Sequence, residues 1–83
     1  MAKVLLVDDE LVIYALSKFL RKSGHFVVEA SNGLEATKKL KQNAFDILVT
    51  DLIMPEVEGF ELLNYTQKNH PDLPVIVISG GGD

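Results

Sequence analysis

The sequence contains no cysteine, which removes disulfides and thiolate metal sites from consideration. It has no apolar run near the roughly 20 residues that a membrane-spanning helix needs. It shows no secretory signal either, since charged and apolar residues mix from Lys3 onward without a long apolar stretch. Positive charge is short. Lys and Arg number 8 against 12 Asp and Glu, a net charge of −4, so a nucleic-acid backbone would meet no basic face and is not expected as a direct ligand. Internal repeats, low-complexity tracts and linkers are also lacking. These absences leave a soluble chain, cytoplasmic by default. Its 83 residues suffice for one domain and not two. With 47% hydrophobic residues it should fold, with little stability to spare at this size.

What is present is regularly punctuated. Lys3–Val7 (KVLLV) is apolar without alternation, the mark of a strand buried on both faces. Asp8 and Asp9 end it. A helical pattern follows, with Val12, Ile13, Leu16, Phe19 and Leu20 expected on its inner stripe. Lys18, Arg21 and Lys22 suit the negative end of that helix, and Gly24 can cap it. Phe26–Ala30 (FVVEA) reads as a second strand, and Ser31, Asn32 and Gly33 as a turn. A short helix is expected over 34–41, with Ala36 and Leu40 inward. Residues 45–50 (FDILVT) read as a third strand that stops at Asp51. After a loop over 52–58 containing Pro55, a helix over 59–69 should bury Phe60 and Leu63. Pro71 and Pro74 stop it, and Val75–Ile78 (VIVI) reads as a fourth strand. The order β-α-β-α-β-α-β predicts an α/β fold: right-handed crossovers and a doubly wound parallel sheet with helices on both faces. Such sheets bind ligands beyond the carboxyl ends of their strands.

Asp8, Asp9 and Asp51 each sit where an apolar strand stops. If the first and third strands are neighbours, the three carboxylates converge. Packed anions raise one another's pKa unless a cation offsets them. Mg²⁺ suits them, because it takes oxygen ligands, keeps several waters and bridges to phosphate. With no His or Cys among the ligands, zinc is not expected. The competing reading is that an Asp after a strand is a helix N-cap. One cap would explain Asp8 or Asp9 alone, but it requires neither a second carboxylate nor a third at the neighbouring strand.

The segments VDDE at 7–10, DLIMPEVEG at 51–59 and VISG at 77–80 closely resemble response-regulator receiver domains of two-component signalling. The resemblance covers residues 1–83 as one domain and implies a flavodoxin-like sheet in the order 2-1-3-4. It implies that Asp51 is the phosphoacceptor, that Asp9 binds Mg²⁺ directly and that Asp8 holds the ion through water. The backbone carbonyl of Ile53 would be a further metal ligand, and Ser79 the hydroxyl that senses the phosphoryl group. Met54, Pro55 and Gly59 match the loop that shapes the site. The implied partner is a sensor histidine kinase or phosphotransfer protein. The implied role is a module that is itself modified, not a turnover enzyme.

Other residues read more plainly. Ser79 alone is an ordinary turn residue; only its place after the fourth strand singles it out. Gly80, Gly81 and Gly82 lack the lysine of a phosphate-binding loop and read as a flexible exit. His25 and His70 have no matching partner and are expected at the surface. Tyr14 and Tyr65 are expected on helix faces, and Glu10 suits a first helical turn. Ile53 stands where members of the family can carry a polar side chain that positions water, so slow self-dephosphorylation is expected.

The family pattern continues with a helix, a fifth strand that ends in a lysine, and a fifth helix. None of these follows the fourth strand here, so the chain reads as a receiver truncated at its C-terminal side. Three carboxylates and one Mg²⁺ leave the site net negative, which that lysine would neutralise. Charge stabilisation of this kind is worth a few kcal/mol of barrier, so weak Mg²⁺ binding and poor phosphorylation are expected. The segment PVIVIS would form a flat, uncharged edge, and self-association through that edge or by exchange of elements is expected. The alternative function is a non-phosphorylated, oligomerising remnant that acts as a structural module. A flavin-binding flavodoxin is disfavoured because the first strand–helix turn is acidic. An aspartyl phosphatase is disfavoured because Leu52, Ile53 and Met54 offer no second acid.

Overall fold

The structure, a computed structural model, describes residues 1–8, 10–51 and 57–78; of Glu10 and residues 57–59 it describes the backbone. The elements are β1 (Lys3–Val7), α1 (Glu10–Lys22), β2 (Phe26–Ala30), α2 (Gly33–Gln42), β3 (Ile47–Asp51), α3 (Val57–Asn69) and β4 (Val75–Ile78). All pairings are parallel and the sheet order is β2-β1-β3-β4, the doubly wound arrangement expected from the sequence.

The unbroken apolar run of β1 serves two cores. Its residues alternate between the faces of the sheet. Leu5 and Val7 join Ala30, Leu48, Ala36, Leu40 and Leu62, beneath α2 and α3. Val4 and Leu6 join Val27 and Ile13 beneath α1, with Leu16, Leu20, Ile47 and Val49 packed against them. Leu5, Leu6 and Val7 are fully buried, so β1 is covered on both faces, as a central parallel strand should be.

The helix ends follow local chemistry. Gly24 has φ +92, a left-handed conformation that glycine adopts without steric cost. It donates to Arg21 O at 3.0 Å while His25 N donates to Leu20 O at 3.0 Å, the paired bonds that close a helix at a glycine. At the start of α2, Asn32 Oδ1 accepts from Glu35 N at 2.8 Å and Glu35 Oε1 accepts from Ser31 N at 2.8 Å. The Asn32 cap, with Glu35 reaching back to Ser31, starts α2 at Gly33, one residue before the expected position.

Two aromatic expectations fail. Phe19 and Phe60 are 66% and 62% exposed. The inner stripe of α1 runs through Ile13, Leu16, Ser17 and Leu20, and six residues at 100° each carry Phe19 well away from Ile13. Among the described side chains of α3, the buried ones are Leu62 and Thr66, four apart on one face, which Phe60 misses by two positions; Leu63 is only partly buried. The third strand begins at Ile47, not Phe45. The preceding Asp46 is tied to the start of β1, donating N–H to Lys3 O at 2.8 Å and accepting Lys3 N–H on Oδ2 at 2.7 Å.

Candidate functional site

The registers bring two of the sequence-predicted acids together. Val7 of β1 is the partner of Thr50 of β3, and the next residue on each strand is Asp8 and Asp51. Adjacent strands lie about 4.8 Å apart, so the two backbones reach the carboxyl edge of the sheet side by side. Asp8 is 2% exposed, and its N–H donates to Ala30 O of β2 at 3.3 Å. Asp51 is half-buried, closes β3 and pairs in register with Ile78, the last residue of β4. Beneath it Thr50 is buried, with Oγ1 donating to Asp51 O at 3.4 Å.

Parallel β-α-β connections put the amino-terminal ends of α1, α2 and α3 at this same edge. Those ends carry partial positive charge and moderate the repulsion between the acids. The pair is an oxygen-only donor set at the carboxyl end of a parallel sheet, which fits a hard divalent cation such as Mg²⁺. Among the described residues no group of three or more His, Cys, Asp or Glu is assembled for a metal. The third acid expected there, Asp9, lies outside the described residues, as do Ile53, Met54, Pro55, Ser79 and residues 80–82. Gly59 falls within the first turn of α3.

The family model described as "Response regulator receiver domain" matches residues 4–83. The chain belongs to the response-regulator receiver family. A curated relative, the response regulator receiver protein CpdR of Brucella abortus, is 36% identical over 81 residues, covering 96% of this chain and 68% of the relative. Among solved receivers, TrrA of Thermotoga maritima in complex with Mg(2+)-BeF superposes with a TM-score of 0.85 at 32% identity, covering 95% of this chain and 70% of that one. A chain of the crystal structure of histidine kinase ThkA in complex with TrrA gives a TM-score of 0.88 at 30% identity, over 100% of this chain and 72% of that one. Among the described residues of this receiver, no helix is long and apolar enough to cross a membrane.

Neither histidine of the receiver is a plain surface residue. Both are half-buried. His25 Nδ1 accepts Ala2 N–H at 3.1 Å, and the His70 ring lies 5.7 Å from that of Tyr65. Tyr65 itself packs against the core, while Tyr14 is 64% exposed on α1. One polar cluster was not anticipated. Buried Ser17 donates to Glu29 Oε2 at 2.7 Å, and Arg21 reaches the same oxygen at 3.1 Å and Val27 O at 3.0 Å. It fastens α1 to the β2 edge. Four-residue spacing from Ile13 puts Ser17 on the inner stripe, and that is the signal by which it could have been found.

Proposed function

We propose that this receiver is a phosphoacceptor module of two-component signalling, modified on Asp51 by a histidine kinase or phosphotransfer protein in the cytoplasm. The observation that carries the reading is the convergence of Asp8 and Asp51 at the ends of adjacent strands. A carboxylate oxygen of Asp51 attacks phosphorus in line. The bond from phosphorus to the donor breaks, the donor leaves with its electron pair, and an acyl phosphate remains. Asp8, Asp9, Asp51 and the Ile53 carbonyl would hold Mg²⁺, which offsets charge on the transferring oxygens. Ser79 directly follows Ile78, the register partner of Asp51, which supports it as the hydroxyl that recognises the added phosphoryl oxygens. The chain, read as one receiver unit over 1–83, is altered by the reaction instead of turning over substrate. The solved receiver with Mg(2+)-BeF and the kinase complex support the ligand and partner classes. The test is titration with Mg²⁺ and beryllofluoride, followed by amide NMR. Saturable shifts at residues 8 and 51 are expected, and their absence would overturn the reading.

The charge balance at the carboxyl edge makes the rate of modification depend on a neutralising cation. Lys3 opens β1 at the far end of the sheet, and every other lysine lies on α1, α2 or α3. The site then stays net negative unless another segment or chain brings a cation. Ile53 provides no polar group to orient water, so the acyl phosphate should be long-lived. Ile53→Asn should shorten its lifetime several-fold, a small share of the roughly 10²–10⁴-fold that positioned general acid–base groups contribute; an unchanged decay rate would count against this role.

A second reading, an oligomerising module, is favoured by β4. Among the described residues it is the last strand in the sheet order, and Ile76 and Val77 are 50% and 39% exposed. Uncharged apolar edges pair with other chains. Light scattering should show concentration-dependent association that Ile76→Lys suppresses. A wild-type monomer at high concentration would dismiss it.

A further inference from the structure

We infer that the turn formed by residues 30–35, in which Asn32 Oδ1 accepts from Glu35 N and Glu35 Oε1 accepts from Ser31 N, is a positioning element for Asp8; this rests on the metal-site reading above. The last register pair between β1 and β3 is Val7 with Thr50. On the other side of β1, the ladder with β2 runs to Val7 and Ala30 and closes with the Asp8 N–H bond to Ala30 O. At 3.3 Å this bond lies at the long end of the useful range, so a small displacement of the carbonyl breaks it. The position of Ala30 O therefore contributes to where the backbone of Asp8 lies.

That carbonyl is held from two sides. The side chain of Ala30 is buried in the core with Ala36, at 1% and 0% exposure, where close packing leaves no room to move. On the other side, the next peptide is clamped. Ser31 N donates to Glu35 Oε1 at 2.8 Å, Glu35 N donates to Asn32 Oδ1 at 2.8 Å, and Ala36 N donates to Asn32 O at 3.0 Å. The cap thus does more than start α2. It fixes the peptide that follows Ala30, and through Ala30 O it fixes the backbone of a buried acid. Asn32 and Glu35 touch neither metal nor phosphoryl group, so they are positioning residues.

The variants are Asn32→Ala, which removes the acceptor, and Asn32→Asp, which restores it. Asn43→Ala is the control at the opposite end of the same helix, where Asn43 caps through Lys39 O. All are measured well below their unfolding temperatures, first without metal by amide exchange at Asp8. Asn32→Ala should speed that exchange about tenfold, on the scale of a lost cap, while Asn32→Asp and Asn43→Ala stay within about twofold of wild type. Calorimetric titration with Mg²⁺ should then show weaker binding for Asn32→Ala and recovery in Asn32→Asp. Equal exchange in Asn32→Ala and wild type, or equal changes in Asn32→Ala and Asn43→Ala, would overturn the inference. Failure of the wild type to bind Mg²⁺ would instead overturn the metal-site reading and leave the exchange result standing.

Discussion

Asp46 and Asp51 bracket the same strand, and their surroundings have little in common. At the amino end of β3, Asp46 accepts the Lys3 N–H at 2.7 Å. The Lys3 ammonium lies 5.6 Å and 5.2 Å from the ring centres of Phe26 and Phe45 and donates to Asn43 Oδ1 at 3.3 Å. A cation, amides and aromatic faces answer one another there, and the acid serves as a clasp between β1 and β3. At the carboxyl end, Asp51 stands beside a second, buried acid, Asp8, and every lysine of the chain is elsewhere. The chemistry of a carboxylate is thus set by the pole of the sheet at which it lies. In a parallel sheet one pole collects helix amino termini and the other helix carboxyl termini.

The largest expected effect separates the two acids by reactivity. Asp51→Asn should abolish acyl-phosphate formation with a small-molecule phosphodonor and Mg²⁺, read as the gain of one phosphoryl mass. Asp46→Asn, which keeps an acceptor for Lys3 N–H, should label like wild type. Equal labelling of both variants would erase the distinction between the poles.

The two ends differed in how well the sequence revealed them. The β1 run is legible because a strand buried on both faces must be apolar throughout, and Leu5 and Leu6 confirm it from opposite cores. Asp8 and Asp51 are legible as strand-end acids. That they are neighbours depends on strand order, which periodicity cannot supply and the family resemblance did. The clasp at the other pole was invisible, because Lys3 finds Asn43 and Asp46 at separations of 40 and 43 residues. Phe19 and Phe60 were misplaced because hydrophobicity says that a side chain gains from burial, not which face of the helix is covered. The Asn32–Glu35 cap was readable from its three-residue spacing, but reading residues 31–33 as a simple turn passes over it.

A smaller effect sharpens the comparison through metal. A unit charge about 4 Å from a divalent ion is worth several kcal/mol even at an effective dielectric of about 20, so Asp8→Asn should weaken Mg²⁺ binding by roughly tenfold or more. The same change relieves repulsion with Asp51, so the metal-free variant should unfold at higher urea, with a gain of about 1 kcal/mol. Titration calorimetry and urea melts with and without Mg²⁺ check both halves. A destabilised metal-free variant would mean that Asp8 is held by its surroundings as Asp46 is.

The smallest effect is the opposite sign at the opposite pole. Asp46→Ala removes the acceptor of Lys3 N–H and loosens the attachment of β1 to the start of β3. A hydrogen bond of this kind contributes about 1 kcal/mol net, and partial exposure lets water replace the lost partner, so the cost should be about that much and no more. The residue is exposed and distant from the carboxyl edge, so Mg²⁺ affinity should stay at the wild-type value. Removing a carboxylate then destabilises at one end of the sheet and stabilises at the other, because one acid accepts the Lys3 N–H and the other is buried beside a second acid. Urea melts of Asp46→Ala and Asp8→Asn in one buffer decide it. If the two shifts share a sign, carboxylates at the two poles differ only in position and not in their energetic setting.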